Sequence, residues 1–253
     1  MKKTIKKILI ALGIILLLLG ALIGYAVYKD LQQEEIIKKE VLNLSNKDLV
    51  NDNFNTNIKT TGDYAYVESA IKKFYKELSD NVKLLKFSLE SDELTNTLSV
   101  DNLEKNRPNF LKSHQAISTA KANSTKALNR ISKLCEEEYI KNLLDKDKVS
   151  DYYVDFYKKI MYTEQDLKEL KETKEEMEEF STNLNLFLEK EEEILNMLEK
   201  NNAYWKVESN QLYFQTEEQV NEYNKLYKEL KEIAIEKLNI DEPSITNDSG
   251  TSM

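Results

Sequence analysis

The pattern of apolar and polar positions separates an uncharged leader from a longer body of amphipathic segments. Residues 8–28 form a run of 21 residues without a charged side chain, and four lysines stand among the seven residues before it. At about 1.5 Å of rise per residue, a helix of this length matches a hydrocarbon core about 30 Å thick. The pattern therefore predicts a short cytoplasmic stub, 1–7, and a transmembrane signal-anchor helix, 8–28.

The leader also carries expectations about where the body lies. Lysines are denser before the uncharged run than after it, which favours an N-terminus in the cytoplasm and an extracytoplasmic body. Gly24 and Ala26 form a small-x-small site, so secretion after cleavage near Ala26 is the alternative. The only cysteine, Cys135, is far from the run, which argues against lipid attachment behind a signal peptide. We expect a single-pass protein that contacts the bilayer through 8–28.

Apolar residues recur at helical spacing along most of the body and predict an all-α fold. On 66–89 the apolar side chains follow steps of three and four residues, the pattern of a helix with one buried face. A second helix is expected to begin between 101 and 107, because Pro108 fits only a first turn, and to run to about Leu144. Over 167–198 the apolar positions approach the heptad repeat of a coiled coil, widened towards a bundle face.

The last part of the body changes its apolar period near Trp205. Alternation over 205–214 predicts a small β-hairpin with Trp205, Val207, Leu212 and Phe214 on one face. A final helix is expected after Thr216, because Thr216 and the glutamine three residues later form a capping box.

These elements define the expected domain organisation. Residues 29–63 indicate a stalk and a polar linker, and 64–240 an elongated antiparallel bundle of about four long helices outside the cytoplasm. Residues 241–253 have too little apolar content to order themselves and are expected to form a disordered tail.

Composition and charge narrow the classes of function. The chain has a net charge of −9, and residues 30–253 hold 31 basic against 45 acidic residues, a net −14, so we expect no nucleic-acid partner. One Cys and one His exclude an ordinary Cys/His zinc site, and Asp145 begins a loop that only partly resembles a calcium loop. We therefore expect no metal and no cofactor.

The sequence offers little catalytic chemistry. His114 lies at the edge of an apolar stripe, which indicates a boundary histidine more readily than a pH switch or a general base. Cys135 occupies core spacing, which indicates a buried thiol, with an intermolecular disulfide as the alternative. None of the common hydrolase or nucleotide-binding motifs is present. We expect a non-catalytic protein.

Aromatic residues provide the most distinctive candidate site. The chain has 14 tyrosines and one tryptophan, concentrated at 152–162 and 204–227. Either they fill a core between long helices, or they form a surface for a protein, peptide or glycan. The candidate interaction surface comprises six of them: Tyr152, Tyr153, Tyr157, Tyr204, Trp205 and Tyr213.

The expected function follows from the anchor, the helices and this surface. The composition, rich in Lys, Asn, Ile and Glu, resembles that of single-span envelope proteins of low-GC bacteria, a resemblance that implies no functional residues. We expect a membrane-anchored interaction or scaffold protein of a bacterial envelope, with an envelope protein as its partner. The alternative is a helical bundle that binds a small molecule or peptide between its helices. A third hypothesis is an envelope hydrolase that uses Asp/Glu pairs.

Overall fold

The computed structural model describes residues 31–162, 164–240 and 250–251, which are mostly helical and include a small antiparallel hairpin near Trp205. This confirms the predicted helical architecture and the hairpin. The predicted stub 1–7, the anchor helix 8–28 and most of the tail 241–253 lie outside the described residues. Among the helices of the described part, none combines the length and the apolar character needed to cross a membrane.

The described elements follow the order of the chain. The helices are α1 (Leu31–Ser45), α2 (Asp63–Leu89), α3 (Asp92–Thr95), α4 (Val100–Asn106), α5 (Leu111–Leu134), α6 (Glu137–Leu143), α7 (Asp151–Met161), α8 (Glu164–Lys200) and α9 (Glu217–Glu232). Two 3-10 turns cover Lys146–Lys148 and Asn202–Tyr204, and a π-helical turn, Ile233–Lys237, follows α9. The strands are β1 (Trp205–Glu208), β2 (Gln211–Phe214) and the two-residue β3 (Gly250–Thr251), which pairs in parallel with β2.

The chain divides into two compact units. The N-terminal unit holds the described residues of 31–85 and 127–178, and the C-terminal unit holds 86–126, 179–240 and 250–251. The division falls within α2, α5 and α8, so each of these helices contributes residues to both units. Each unit has its own buried residues and its own candidate site.

The core of the N-terminal unit includes the segment that was expected to be a stalk and linker. On α1 the buried side chains Ile37, Val41 and Leu44 recur at spacings of four and three residues, which gives the helix one apolar face. The loop after α1 adds Leu49 and Phe54 to the same core. Burial of these side chains makes 31–63 part of the folded unit instead of a spacer before it.

The helix expected from about 101–107 to Leu144 is interrupted twice. Pro108, which has no amide hydrogen to donate, lies between α4 and α5 instead of in a first helical turn. The second break falls after Leu134: the Cys135 amide donates to the Ile131 and Ser132 carbonyls, and Glu136 is extended. Neither Gly nor Pro marks this break, so the local sequence carries no signal for it.

The hairpin of the C-terminal unit has the faces that the alternation predicts. Trp205 pairs with Phe214, and Val207 pairs with Leu212. Trp205, Leu212 and Phe214 are buried, and Val207 is half-buried. The two turn residues, Ser209 and Asn210, have φ of 51° and 62°, the backbone that a two-residue hairpin turn needs to match the twist of its strands. The predicted capping box also forms, since Thr216 accepts a hydrogen bond from the Gln219 amide.

Candidate functional site

Aromatic rings meet in the N-terminal unit at the beginnings of α2 and α7. Tyr153 is in edge-to-face contact with Tyr64, with ring centroids 4.8 Å apart, and with Tyr152 at 5.1 Å. Phe156 is also in edge-to-face contact with Tyr64, with ring centroids 5.8 Å apart. We call these four residues the tyrosine cluster. Edge-to-face contacts direct the positive ring edge at the negative face of the next ring, and so fix the orientation of each ring.

A buried carboxylate on α1 holds the polar ends of two of these rings. Glu34 accepts a hydrogen bond from the Tyr152 hydroxyl, and the Tyr64 hydroxyl donates to the same Glu34 oxygen at 3.5 Å. Lys38 Nζ lies 3.4 Å from the other oxygen. Burial, followed by the hydrogen bond to Tyr152, raises the pKa of Tyr64. Glu34 therefore links α1, α2 and α7 at one place.

The cluster has one strongly exposed ring and others that are covered. Tyr152 is 51% exposed, Tyr153 is half-buried, and Tyr64 is buried. Tyr66, two residues after Tyr64 on α2, is also exposed. Tyr157 is buried with its hydroxyl on the Ile140 carbonyl at 2.8 Å, so it belongs to the core and not to a surface.

The C-terminal unit builds its aromatic site around Trp205, which is only 3% exposed. The guanidinium carbon of Arg107 lies 3.9 Å from the Trp205 ring centroid, and the Phe110 ring stacks at 6.2 Å. The indole Nε1 donates to the Leu198 carbonyl at 2.8 Å. A cation–π contact, a stacked ring and a satisfied indole N–H together fix Trp205 as an anchor of the hairpin.

The residues beside this anchor face outward. Tyr204 is 51% exposed, and Tyr213 is half-buried with its hydroxyl donating to Gln211 Oε1 at 2.9 Å. Tyr213 pairs with the exposed Lys206. The outer face of the hairpin thus combines two phenols with a charged rim, on strands whose inner face is buried.

The six sequence-predicted surface residues therefore fall into two groups. Tyr152, Tyr153 and Tyr157 belong to the N-terminal unit, and Tyr204, Trp205 and Tyr213 belong to the C-terminal unit. Within each group one member is buried, namely Tyr157 and Trp205.

A buried ionic network on α2 was not predicted from the sequence. Lys72 Nζ lies 2.5 Å from Glu68 Oε1 and 2.9 Å from Glu40 Oε2, and the side chains of Lys72 and Glu68 are 3% and 1% exposed. Glu68 also accepts hydrogen bonds from the amide and the hydroxyl of Thr60. Although burial opposes it, these donors hold the pKa of Glu68 below its usual range. The network fastens the loop before α2 onto the helix.

The sequence carries only an ambiguous signal for this network. Glu68 and Lys72 are four residues apart, and with Tyr75 and Ser79 they form a line parallel to the apolar stripe. All four are buried. The spacing alone would place such a line on a wider buried face, but the polar residue types indicate a solvated one.

The surroundings of Glu191 and of His114, both in the C-terminal unit, were also not predicted from the sequence. Glu191 on α8 is buried, and its Oε2 has no hydrogen-bond partner, so burial raises the pKa of its carboxyl to about 8. His114 stands between two other glutamates of α8: Nδ1 lies 2.7 Å from Glu192, and Nε2 lies 3.6 Å from Glu199. His114 is half-buried, as expected of a boundary histidine.

Cys135 is buried, as its spacing predicted, and burial raises the pKa of its thiol to about 12. The thiol is therefore protonated at neutral pH and a poor nucleophile. Asp145 pairs with Lys148 at 3.0 Å. Within 31–162, 164–240 and 250–251, no group of three or more His, Cys, Asp or Glu side chains could hold a metal ion.

The fold defines this chain as a helical protein with a small β-hairpin. No protein-family model matches the chain, and comparisons with curated proteins and with solved structures give no match either.

Proposed function

We propose that the protein is a membrane-anchored, non-catalytic interaction protein of a bacterial envelope, with its N-terminus in the cytoplasm and its body outside. The uncharged run 8–28 behind a basic stub supports one membrane span, and the lysine density supports this orientation. We also propose that the long helices run antiparallel in an elongated bundle. A body of this kind would present a side-chain surface to a neighbouring envelope protein.

The partner-binding surface in this proposal is the outer face of the hairpin with Tyr204 and Tyr213. The observation that carries it is the half-exposed ring of Tyr204, which directly precedes the anchored Trp205. An aromatic side chain on a fixed backbone offers a large contact area and loses little conformational entropy on binding, which is why Tyr and Trp dominate protein interfaces. Lys206 and Glu208 would form the charged rim of this contact.

Site-specific photo-crosslinking in living cells of the source tests this surface. A benzophenone amino acid placed at Tyr204 should give one dominant protein adduct, and the adduct should weaken when Tyr213 is replaced by alanine. The matched control is the same probe at Phe87, a 65% exposed aromatic of the same unit that has no place in the proposed surface. Equal adducts from both positions would contradict the proposal.

A second candidate function, binding of a small polar molecule, is favoured by a depression in the C-terminal unit. Its volume is about 490 Å³, and the depression is lined by polar side chains of α4, the segment before it and the hairpin turn, namely Asn96, Asp101, Asn102, Lys105 and Asn210. Amide groups with one lysine and one aspartate suit a small hydroxylated ligand. Amide chemical-shift changes at Asn96 and Asn102 on addition of culture metabolites would support this function, and Lys105→Met should abolish them.

A further inference from the structure

The tyrosine cluster lies close along the chain to the predicted membrane span. The uncharged run ends at Tyr28, and Glu34, which holds the Tyr152 hydroxyl, is six residues later. Even a fully extended chain of six residues reaches only about 20 Å. The backbone of Glu34, whose side chain contacts the cluster, must therefore stand within about 20 Å of the end of the span, whatever the path of the residues between.

A second contact brings the beginning of α2 to the same turn of α1. The Thr61 amide donates to Gln33 Oε1 at 3.0 Å, one residue before Glu34. Tyr66, which is exposed, follows five residues after Thr61. Tyr66 also lies two residues after Tyr64, whose ring contacts Tyr153 near the beginning of α7. Tyr66 and Tyr152 thus belong to the same end of the N-terminal unit.

The chemistry of this end suits the headgroup layer of a bilayer. A tyrosine ring has an apolar body and a polar tip, and such rings favour the membrane interface, where one end is dry and the other wet. The charges around them are mixed: Lys148 is accompanied by Asp145 and Asp151, so this end has no excess of basic residues to attract anionic lipid. The rings, not the charges, are the groups that would interact with the lipid.

We propose that Tyr152 and Tyr66 rest in the lipid headgroup layer of the membrane that holds residues 8–28, and that the tyrosine cluster thereby fixes the N-terminal unit against that membrane. This inference rests on the proposed anchor. It assigns the exposed tyrosines of the N-terminal unit to lipid, and leaves the hairpin tyrosines of the C-terminal unit for the protein partner. Because Glu34 and Tyr153 hold the Tyr152 ring, this ring meets the lipid headgroup layer in a fixed orientation.

Spin-label depth measurement on the full chain tests this placement. The chain with Cys135→Ala is reconstituted into phosphatidylcholine vesicles and labelled at Tyr152→Cys, or independently at Tyr66→Cys in case one variant does not fold. The control is Tyr204→Cys, since Tyr204 is as exposed as Tyr152. For each label, the rates of collision with oxygen and with a water-soluble nickel chelate are measured. The ratio of the first rate to the second should be about threefold higher at 152 and 66 than at 204. The reason is that oxygen partitions into the bilayer, whereas the chelate stays in water.

The outcomes separate this inference from the proposed anchor. If the chain floats with the vesicles and the three labels have equal ratios, the lipid contact is wrong and the anchor stands. If the chain does not float, both fail. If the label at 152 is shielded only when a second envelope protein is added, Tyr152 contacts that protein, and the lipid assignment is overturned.

Discussion

Each of the two units contains an aromatic site with one exposed ring, but different contacts hold the two sites in place. In the N-terminal unit the polar ends of two phenols meet a buried carboxylate, Glu34, and the rings contact one another edge to face. In the C-terminal unit the anchor is a single indole, covered by Arg107 and Phe110. One site depends on a hydrogen-bonded carboxylate, and the other on a stacked ring, a cation–π contact and a hydrogen bond to the backbone.

The same contrast extends to the buried charges. The N-terminal unit pairs its buried Lys72 with Glu68 and Glu40, and Glu40 also pairs with Lys59, so that two cations compensate two carboxylates. The C-terminal unit buries Glu191 with one oxygen unpartnered. A compensated cluster is stabilising only while it is complete, whereas a lone buried carboxyl is tolerated only in its protonated form. The units should therefore respond differently to mutation and to pH.

The largest expected effect is on the C-terminal unit. Trp205→Ala removes a buried indole, its cation–π contact and its hydrogen bond, and should lower the free energy of unfolding by about 4 kcal/mol. Amide hydrogen exchange, followed separately in peptides of each unit, measures where protection is lost. The neighbouring Tyr204→Ala is the control and should change stability by less than about 0.5 kcal/mol. Equal losses for the two variants would show that Trp205 is not an anchor.

Breaking the ionic network should affect the N-terminal unit. Lys72→Met leaves Glu68 and Glu40 without their shared cation and should cost about 3 kcal/mol, since an unpaired buried charge is strongly unfavourable. Lys76→Met, one turn later at an exposed pair with Asp80, serves as the control. In urea unfolding, Lys72→Met with Glu68→Gln should recover part of the loss. No recovery would mean that packing, not charge, dominates this site.

The pH dependence should distinguish the C-terminal unit. The folded pKa of Glu191, about 8, is above its unfolded value of 4.5, so its carboxyl is neutral in the fold. Its contribution to stability is full below pH 4.5 and is lost as the pH rises towards 8. Glu191→Gln should therefore raise stability by about 2 kcal/mol at pH 7 and have little effect at pH 4. Urea unfolding at the two pH values measures this, with exposed Glu193→Gln as the control. A pH-independent effect would show that Glu191 is not neutral in the fold.

The smallest effect concerns a half-buried triad of the N-terminal unit. The Tyr139 hydroxyl donates to Glu77 at 2.8 Å and accepts from Arg130 at 2.6 Å. Tyr139→Phe should cost about 1 kcal/mol in urea unfolding, because two partners lose a bond but remain paired with each other. Tyr213→Phe, which loses one bond to Gln211 on an outer face, should cost less. The reverse order would contradict this ranking.

Local pattern was enough to predict some of these elements. The alternation around Trp205 predicted the two faces of the hairpin, although its turn lacks the common Asn-Gly pair. The prediction succeeded because the period of the apolar side chains depends on which face is buried and not on the turn. The capping residue Thr216 was also recognisable from its neighbours alone. In both cases the physical cause lies within a few residues of the chain.

Other features depend on residues that are distant in the sequence. Glu34 meets Tyr152 across 118 positions, and His114 meets Glu192 across 78, so no local spacing could reveal either contact. The loop after α1 is polar, yet Thr60 in this loop is buried where its hydroxyl donates a hydrogen bond to Glu68. The burial of Lys72 and Glu191 requires knowledge of what packs against α2 and α8.

The most direct test of the proposed division of surfaces is quantitative co-purification from the source cells after crosslinking. Wild-type, Tyr204→Ala and Tyr152→Ala chains are compared at native expression, with the amount of recovered partner as the readout. The proposal predicts that Tyr204→Ala loses the envelope partner, whereas Tyr152→Ala retains it. Loss of the partner with Tyr152→Ala and retention with Tyr204→Ala would contradict it.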